Sequence, residues 1–415
     1  MVELLFKRLL VSRTPMTILR QTLLPLTENA EVEGSRLRLR SPLSSNLESY
    51  TCNGEKTSKD SHSGNESTPL CNFSMTAESL IPELTFTELR VESPLSDRDR
   101  PKITLDLLRS LHVLETAHHS RLWVFIGLYS FASASAWFLA THGGGFWCLW
   151  ACLPFYILAA AALHGISLFT HEGVHSVLSP HPHWNRGLSM LCAMPVLQNY
   201  AAYKVLHLKH HKHLGTQGDP DHYKNYTHWS WLVFLMHWGR LLVGYPVYIV
   251  AIPLLGFWQG NRRDRLWIGL EVILLGLLIA GVVFSPIPRS FLVHGWLIPM
   301  LLINGMVNIR GMSQHTLLEH ETDLIRGTRT LLTNSVTRFF MCNENYHLEH
   351  HLYPAVPWYH LPQLHKELQA ELESRGAPYI PSYFAFVREF VVASIRRTSV
   401  GSVALATLQG EKQSC

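Results

Sequence analysis

Polar positions all but vanish along four stretches of the chain: residues 122–141 (LWVFIGLYSFASASAWFLAT), 146–169 (FWCLWACLPFYILAAAALHGISLF), 266–285 (LWIGLEVILLGLLIAGVVFS) and 291–309 (FLVHGWLIPMLLINGMVNI). Each approaches or exceeds the ~20 residues an α-helix needs to cross a hydrocarbon layer. Helices and closed barrels are the structures that satisfy their own backbones there. The pattern predicts an all-α integral membrane protein with about four transmembrane helices. Two further apolar runs break the rule. Residues 187–197 (GLSMLCAMPVL) are too short to cross, and residues 229–258 are interrupted by Arg240, Pro246 and Pro253. Both carry features of the membrane interface, the second being rich in Trp and Tyr, whose amphipathic rings settle there. Both are expected to be interfacial helices.

The flanking sequence is of another kind. Residues 28–100 are rich in Ser, Glu, Asn, Thr and Pro (SPLSSNLESYTCNGEKTSKDSHSGNESTP). Such a stretch buries too little apolar surface to offset its ordering entropy. Three parts follow: a disordered region over 1–100, a membrane domain over 101–397 and a polar tail over 398–415. The first 25 residues are basic with leucines at helical spacing, the pattern of a targeting segment or a membrane-surface helix as well as of a plain tail. Composition agrees: 47% of the 415 residues are hydrophobic and 16% charged, against roughly 25% charged in soluble domains. The seven cysteines form no CxxC pair, which argues against a zinc ribbon or a disulfide scaffold and leaves packing thiols.

Basic residues set the orientation. Nine Lys and Arg lie between Arg186 and Arg265, whereas the short turns at 142–145 and 286–290 hold only Arg289. Since Lys and Arg accumulate in cytosolic loops, residues 170–265 and everything after 310 are expected to face the cytosol, in a eukaryote from the endoplasmic reticulum membrane. The sequons at Asn65, Asn72 and Asn225 then lie on the side where glycosylation does not occur.

On that side the histidines cluster. HEGVH holds His171 and His175; HLKHH, in the loop that follows, holds His207, His210 and His211; HLEHH holds His347, His350 and His351. Spacings of three and four put side chains on one helix face, with Cβ atoms ~5–6 Å apart. A lone histidine is most often a hydrogen-bonded core residue. Three clusters with matched spacing on one side of a membrane point to metal. Eight imidazoles exceed the four or so ligands a zinc ion takes, so two ions are implied. An imidazole shell suits Zn, Cu, Fe or Ni; a site at the ends of lipid-facing helices, set to oxidise an acyl C–H bond, favours redox-active iron.

The order HxxxH, HxxHH, HxxHH resembles the membrane fatty acid desaturase superfamily. NYHLEHHLYPAVPWYHLP is similar to the third histidine box of its acyl-lipid members, and HLKHHKHLGTQGDPD to the second box with its trailing DPD. The resemblance runs over about 120–390. It implies a cytosolic helical cap above the spans, two Fe ions, O2 as co-substrate and no catalytic side chain beyond the metal ligands. The family usually adds a histidine just after the last span, a place held here by His315 in NIRGMSQH, although Gln314 precedes it where many members are acidic. Some acyl-CoA members use an Asn four residues earlier; here that position is Gly311. The implied ligand set is therefore His171, His175, His207, His210, His211, His315, His347, His350 and His351.

Neighbouring residues have plainer readings. His164, seven before His171, fits helix packing; His213 is expected to be exposed, and His181, His183, His222 and His228 to be loop residues. Asp219 and Asp221 suit either loop structure or the orientation of ligand imidazoles. Glu172 and Glu349 are candidates for a supporting or capping role. Pro354 and Pro357 must stop the helix carrying the third cluster, laying Trp358 and Tyr359 against the cap.

The expected activity is insertion of a C=C bond into an acyl chain. THGGGF at 141–146 lacks the proline of the HPGG heme motif, so cytochrome b5 or ferredoxin is expected to be a separate electron donor. A hydroxylase or ketolase acting on fatty acid, sphingolipid or carotenoid would share the histidine boxes. A metal transporter fits less well, because ionisable residues would be needed near the bilayer midplane and the spans carry little beyond Glu271.

Overall fold

In a computed structural model, residues 100–395 are described except 116, 228 and 319–322. The expectations for the N-terminal region and the C-terminal tail fall outside these residues. Apart from one two-residue strand pair, the described elements are helices.

Helix α1 (Leu105–Leu111) begins at Thr104, whose hydroxyl accepts from Leu107 N. Helices α2 (Ala117–His142) and α3 (Trp147–Val174) form an apolar hairpin across a turn in which Gly145 takes φ +81°. Helix α4 (Pro182–Ala193) opens on a proline, whose missing N–H costs nothing at that position. Helix α5 (Tyr200–His213) is capped by Asn199, which accepts from Ala202 N. Helix α6 (Ser230–Gln259) is followed at once by α7 (Arg262–Phe284), which starts in a reciprocal capping box between Asn261 and Asp264. Helix α8 covers Arg289–His315 and widens to a π-turn at Val293–Leu297. There Gly295 O accepts from both Tyr129 Oη and Ser133 Oγ.

Five of these helices (α2, α3, α6, α7 and α8) are long and apolar enough to cross a membrane, one more than the sequence pattern predicts. The addition is α6, expected at the interface. Pro246 deprives Leu242 O of a helical donor, and Val243 leaves the helical region at φ −137°. Asn304 repairs the break: its Nδ2 donates to Leu241 O and Leu242 O, and its Oδ1 accepts from Tyr245 N. Beyond the bend, α6 runs along α5. A Cβ on Gly256 would lie 2.7 Å from that of Ala202, and Lys209 Nζ reaches Gln259 Oε1 at 3.1 Å. The start of α7 is tied to the same region, since Asn199 Nδ2 donates to Ile268 O and Glu271 accepts from Ala201 N.

After α8 come α9 (Leu324–Gly327), α10 (Ser335–Phe340), α11 (His347–Leu352), α12 (Leu361–Ser374) and α13 (Tyr383–Ile395). Strands β1 (Thr330–Leu331) and β2 (Tyr379–Ile380) pair in parallel. In α12, Leu361, Leu364, Leu368 and Leu372 recur at spacings of three and four and are fully buried, with Leu348 and Leu352 of α11 in the same core. This cap holds α11 over the ends of α3 and α8.

Candidate metal centre

Helix α3 keeps its geometry for one turn beyond the apolar run, so His171 lies in its last turn and His175 just past it. The second cluster is on helix α5, not on a loop, and the third occupies nearly all of the six-residue α11. Helix α11 stops at Leu352 ahead of Pro354, as the prolines require. His315 is the last residue of α8. These four helices bring the nine sequence-predicted histidines into two groups. His171, His175, His207, His211 and His350 form one; His210, His315, His347 and His351 form the other. Within each group the nearest ring nitrogens all lie within 4.8 Å of one another.

In most of these rings the Nε2 atoms converge. Separations are 3.0 Å for His175–His207, His207–His211 and His347–His351, 3.1 Å for His315–His347, 3.2 Å for His211–His350 and 3.3 Å for His210–His315. An imidazole nitrogen has a single in-plane lobe, so one that faces two neighbours at this distance cannot bond both. Lobes aimed at a shared point suit a cation. With metal–nitrogen bonds of about 2.0–2.1 Å, neighbouring ligand nitrogens fall about 3.0–3.4 Å apart, as here. Burial also keeps rings neutral: it holds His207, His211, His347 and His351 well below the usual histidine range and takes His350 down to about 3. A neutral ring is the form that binds metal.

The outer nitrogens are held by the protein. Asp219 Oδ1 lies 2.9 Å from His210 Nδ1 and is itself fixed by the amides of Gly215 and Asp221 through its two oxygens. Gly327 O faces His315 Nδ1 at 3.1 Å. Asp221 shares no such contact with a histidine among the described residues and lines the neighbouring cavity. Glu172 accepts from Trp358 N at 3.1 Å, clasping the segment after α11 to α3. The indole of Trp358 donates to His118 Nδ1 on α2, so this aromatic ties the cap to the spans as well as packing against it. Glu349 is fully buried but turns away from the histidines, accepting from Thr330 Oγ1 and pairing with His365 Nδ1, each at 2.5 Å. Of its two candidate parts, it plays a structural one in the cap.

Sequence reasoning missed Glu344 and Arg310. Glu344 Oε1 lies 2.7 Å from His171 Nδ1, and its Oε2 lies 3.1 Å from Arg310 Nη1 and 3.8 Å from His347 Nδ1. Burial alone would raise this carboxyl; His171 and Arg310 beside it hold it well below the usual carboxylate range. The available signal was the i, i+3 relation of Glu344 to His347. The other histidines lie outside both groups. His164 is buried in α3, His213 is half-buried with its ring against Gly218 rather than exposed, His222 is buried, and His181 and His183 are exposed. His228 is outside the described residues.

A cavity of about 180 Å³ opens beside the histidines. His171, His207, His210, His315 and His347 form its polar wall, and Ile249, Ile252, Leu255 and Val307 line an apolar part. The site can therefore place an apolar chain next to two clustered donor sets.

Comparisons with known proteins agree with this geometry. The chain is 26% identical over 270 residues to a dihydrorhizobitoxine desaturase of Bradyrhizobium elkanii, covering 55% of this chain and 70% of that protein. It is 25% identical over 248 residues to the sphingolipid delta(4)-desaturase DES1 of Homo sapiens, covering 59% and 73%. Identity to an sn-1 oleoyl-lipid 12-desaturase of Arthrospira platensis is 21% over 250 residues, covering 51% and 67%. The fatty acid desaturase family matches residues 147–383, more than half of the chain. With apolar helices long enough to cross a membrane, clustered histidines and that match on record, the chain belongs to the fatty acid desaturase family.

Proposed function

We propose that this protein is an O2-dependent lipid desaturase holding two irons, His171, His175, His207, His211 and His350 at one and His210, His315, His347 and His351 at the other. The observation that carries the reading is the convergence of Nε2 atoms in two buried groups beside a cavity with an apolar wall. Bound iron would supply the O2 activation that an unactivated C–H bond demands. The residues do the rest. Asp219, Gly327 O and Glu344 fix ring orientation, burial keeps His207, His211, His347, His350 and His351 neutral, and Ile249, Ile252 and Val307 hold the acyl chain out of water. In the net reaction two hydrogens leave adjacent methylenes, and O2 takes them up with two electrons and two protons to give two waters. Those electrons come from a separate donor, cytochrome b5 or ferredoxin.

The reading includes four crossings. Helix α6 begins after the Asp219 loop and ends beside Lys209, both next to the histidine-bearing α5, so it returns to the side from which it starts. The histidines and cap then face the cytosol, in a eukaryote from the endoplasmic reticulum. A hydroxylase of the same family remains the second reading, because the same C–H cleavage can end in a C–O bond.

Mass spectrometry of total lipids from a host expressing the chain, beside His350→Ala, tests the proposal. A lipid lighter by two hydrogens, absent from the variant, is expected. Gain of one oxygen would replace desaturase by hydroxylase. No change from a well-expressed, metal-loaded protein supplied with donor would overturn the activity.

A further inference from the structure

Of the charged groups lining the cavity that contact neither the clustered histidines nor Glu344 among the described residues, Asp221 is the anion and Arg240 the cation. Its companion Arg310 is neutralised by Glu344, whereas Arg240 has no ion pair or hydrogen bond among the described residues. Its buried Nε is unpartnered, and its guanidinium lies over the face of Tyr248, 5.6 Å from the ring centre. The guanidinium lies beside Gly311: a Cβ built there would fall 2.8 Å from Arg240 Nη2. Only a glycine leaves that space fully open. Gly311 precedes His315 by one helical turn, about 6 Å along the axis. Pro220, Asp221, Gln314, whose Nε2 is also buried and unpartnered, and His210 line the same cavity. From Arg240 the cavity wall passes along α6 to Ile249, Ile252 and Leu255.

A half-buried guanidinium with no ion pair among the described residues is open to an anion, and its planar fork of donors matches an oxyanion. We propose that Arg240 binds an anionic head group of the substrate, a phosphate or a carboxylate, beside the second histidine group. The apolar part of the ligand then lies along the second half of α6. Because the guanidinium sits about one turn from His315, the carbons presented to the metals are within a few bonds of the head group. This deepens the lipid desaturase reading and rests on it for the position of the double bond, but the head-group site itself does not.

The test uses the full chain in phosphatidylcholine nanodiscs, with dodecyl phosphate, dodecanoate and dodecanol as chain-matched probes. Bound probe is quantified by mass spectrometry after gel filtration, together with metal content. Wild-type protein is expected to retain at least one of the two anionic probes about tenfold over dodecanol, and the better of the two identifies the head group. Arg240→Ala is expected to bring that ratio close to one, and Arg240→Lys to keep part of it. Gly311→Ala, which displaces the guanidinium, is expected to lower it several-fold. No preference in the wild type, or an undiminished preference in Arg240→Ala, as a bulk-lipid site elsewhere would give, overturns the proposal. Should Arg240→Ala fail to fold, unchanged preference in Gly311→Ala does the same. Binding is read without turnover, so a metal-loaded chain supplied with donor that leaves host lipids unaltered yet shows the Arg240-dependent preference refutes the desaturase reading alone.

Discussion

Glu344 shows how much a single residue carries. It is itself buried and holds negative charge between His171, His347 and Arg310. Breaking a buried pair by removing one partner costs about 3–5 kcal/mol, and removing a carboxylate behind a ligand imidazole typically lowers metal affinity ~10–100-fold. Glu344→Gln is therefore expected to lose metal on dialysis against a chelator at concentrations the parent tolerates, read by elemental analysis. Glu349 makes the contrast. It is equally buried, but its partners Thr330 and His365 belong to the cap. Glu349→Gln should lower thermal stability, by the ~1–3 kcal/mol of a disturbed buried hydrogen bond, while the folded fraction keeps its full metal complement. Parallel losses of metal in both variants would erase this distinction.

At the scale of elements, the outcome is decided by where helices end. Extending α3 one turn past its apolar run places His171, and ending α8 at His315 brings that ring to the same level. Helix α6 is the instructive case: its composition is that of a span, it bends at Val243 and packs along α5, and under the four-crossing proposal it returns to the side where it starts. Single-cysteine variants Trp231→Cys and Gln259→Cys, in a background lacking reactive native thiols, are expected to react with an impermeant maleimide from the same face of sealed vesicles. Labelling from opposite faces would make α6 a fifth crossing. In the cap, α12 presents its leucine stripe to α11, and Leu368→Ala should cost about 2–5 kcal/mol, measured as a fall in unfolding midpoint.

For the molecule as a whole, the centre joins parts of the chain far apart in sequence. Nine histidines come from α3, α5, α8 and α11, and the two groups share α5 and α11. Anything that binds the folded form alone stabilises it by mass action, about 4 kcal/mol at a thousandfold excess over the dissociation constant. Removing metal with a membrane-permeant chelator is thus expected to lower the melting temperature and to raise hydrogen exchange across α11 and the last turn of α3 together; an unchanged melting temperature would mean the fold does not depend on metal. The amino-acid sequence by itself determined the apolar spans, because a bilayer demands a length and composition that one strand of text displays. It also determined eight of the nine histidines, which recur at spacings of three and four, while His315 came from the family resemblance. The tertiary structure alone decided how those histidines divide into five and four, since His207, His210 and His211 of one helix serve both groups according to the direction each faces. It likewise decided that α6 breaks at Val243, that Glu349 turns into the cap and that Glu344 and Arg310 stand behind the histidines. Those outcomes depend on contacts between residues distant in the chain, and periodicity along one segment carries no record of them.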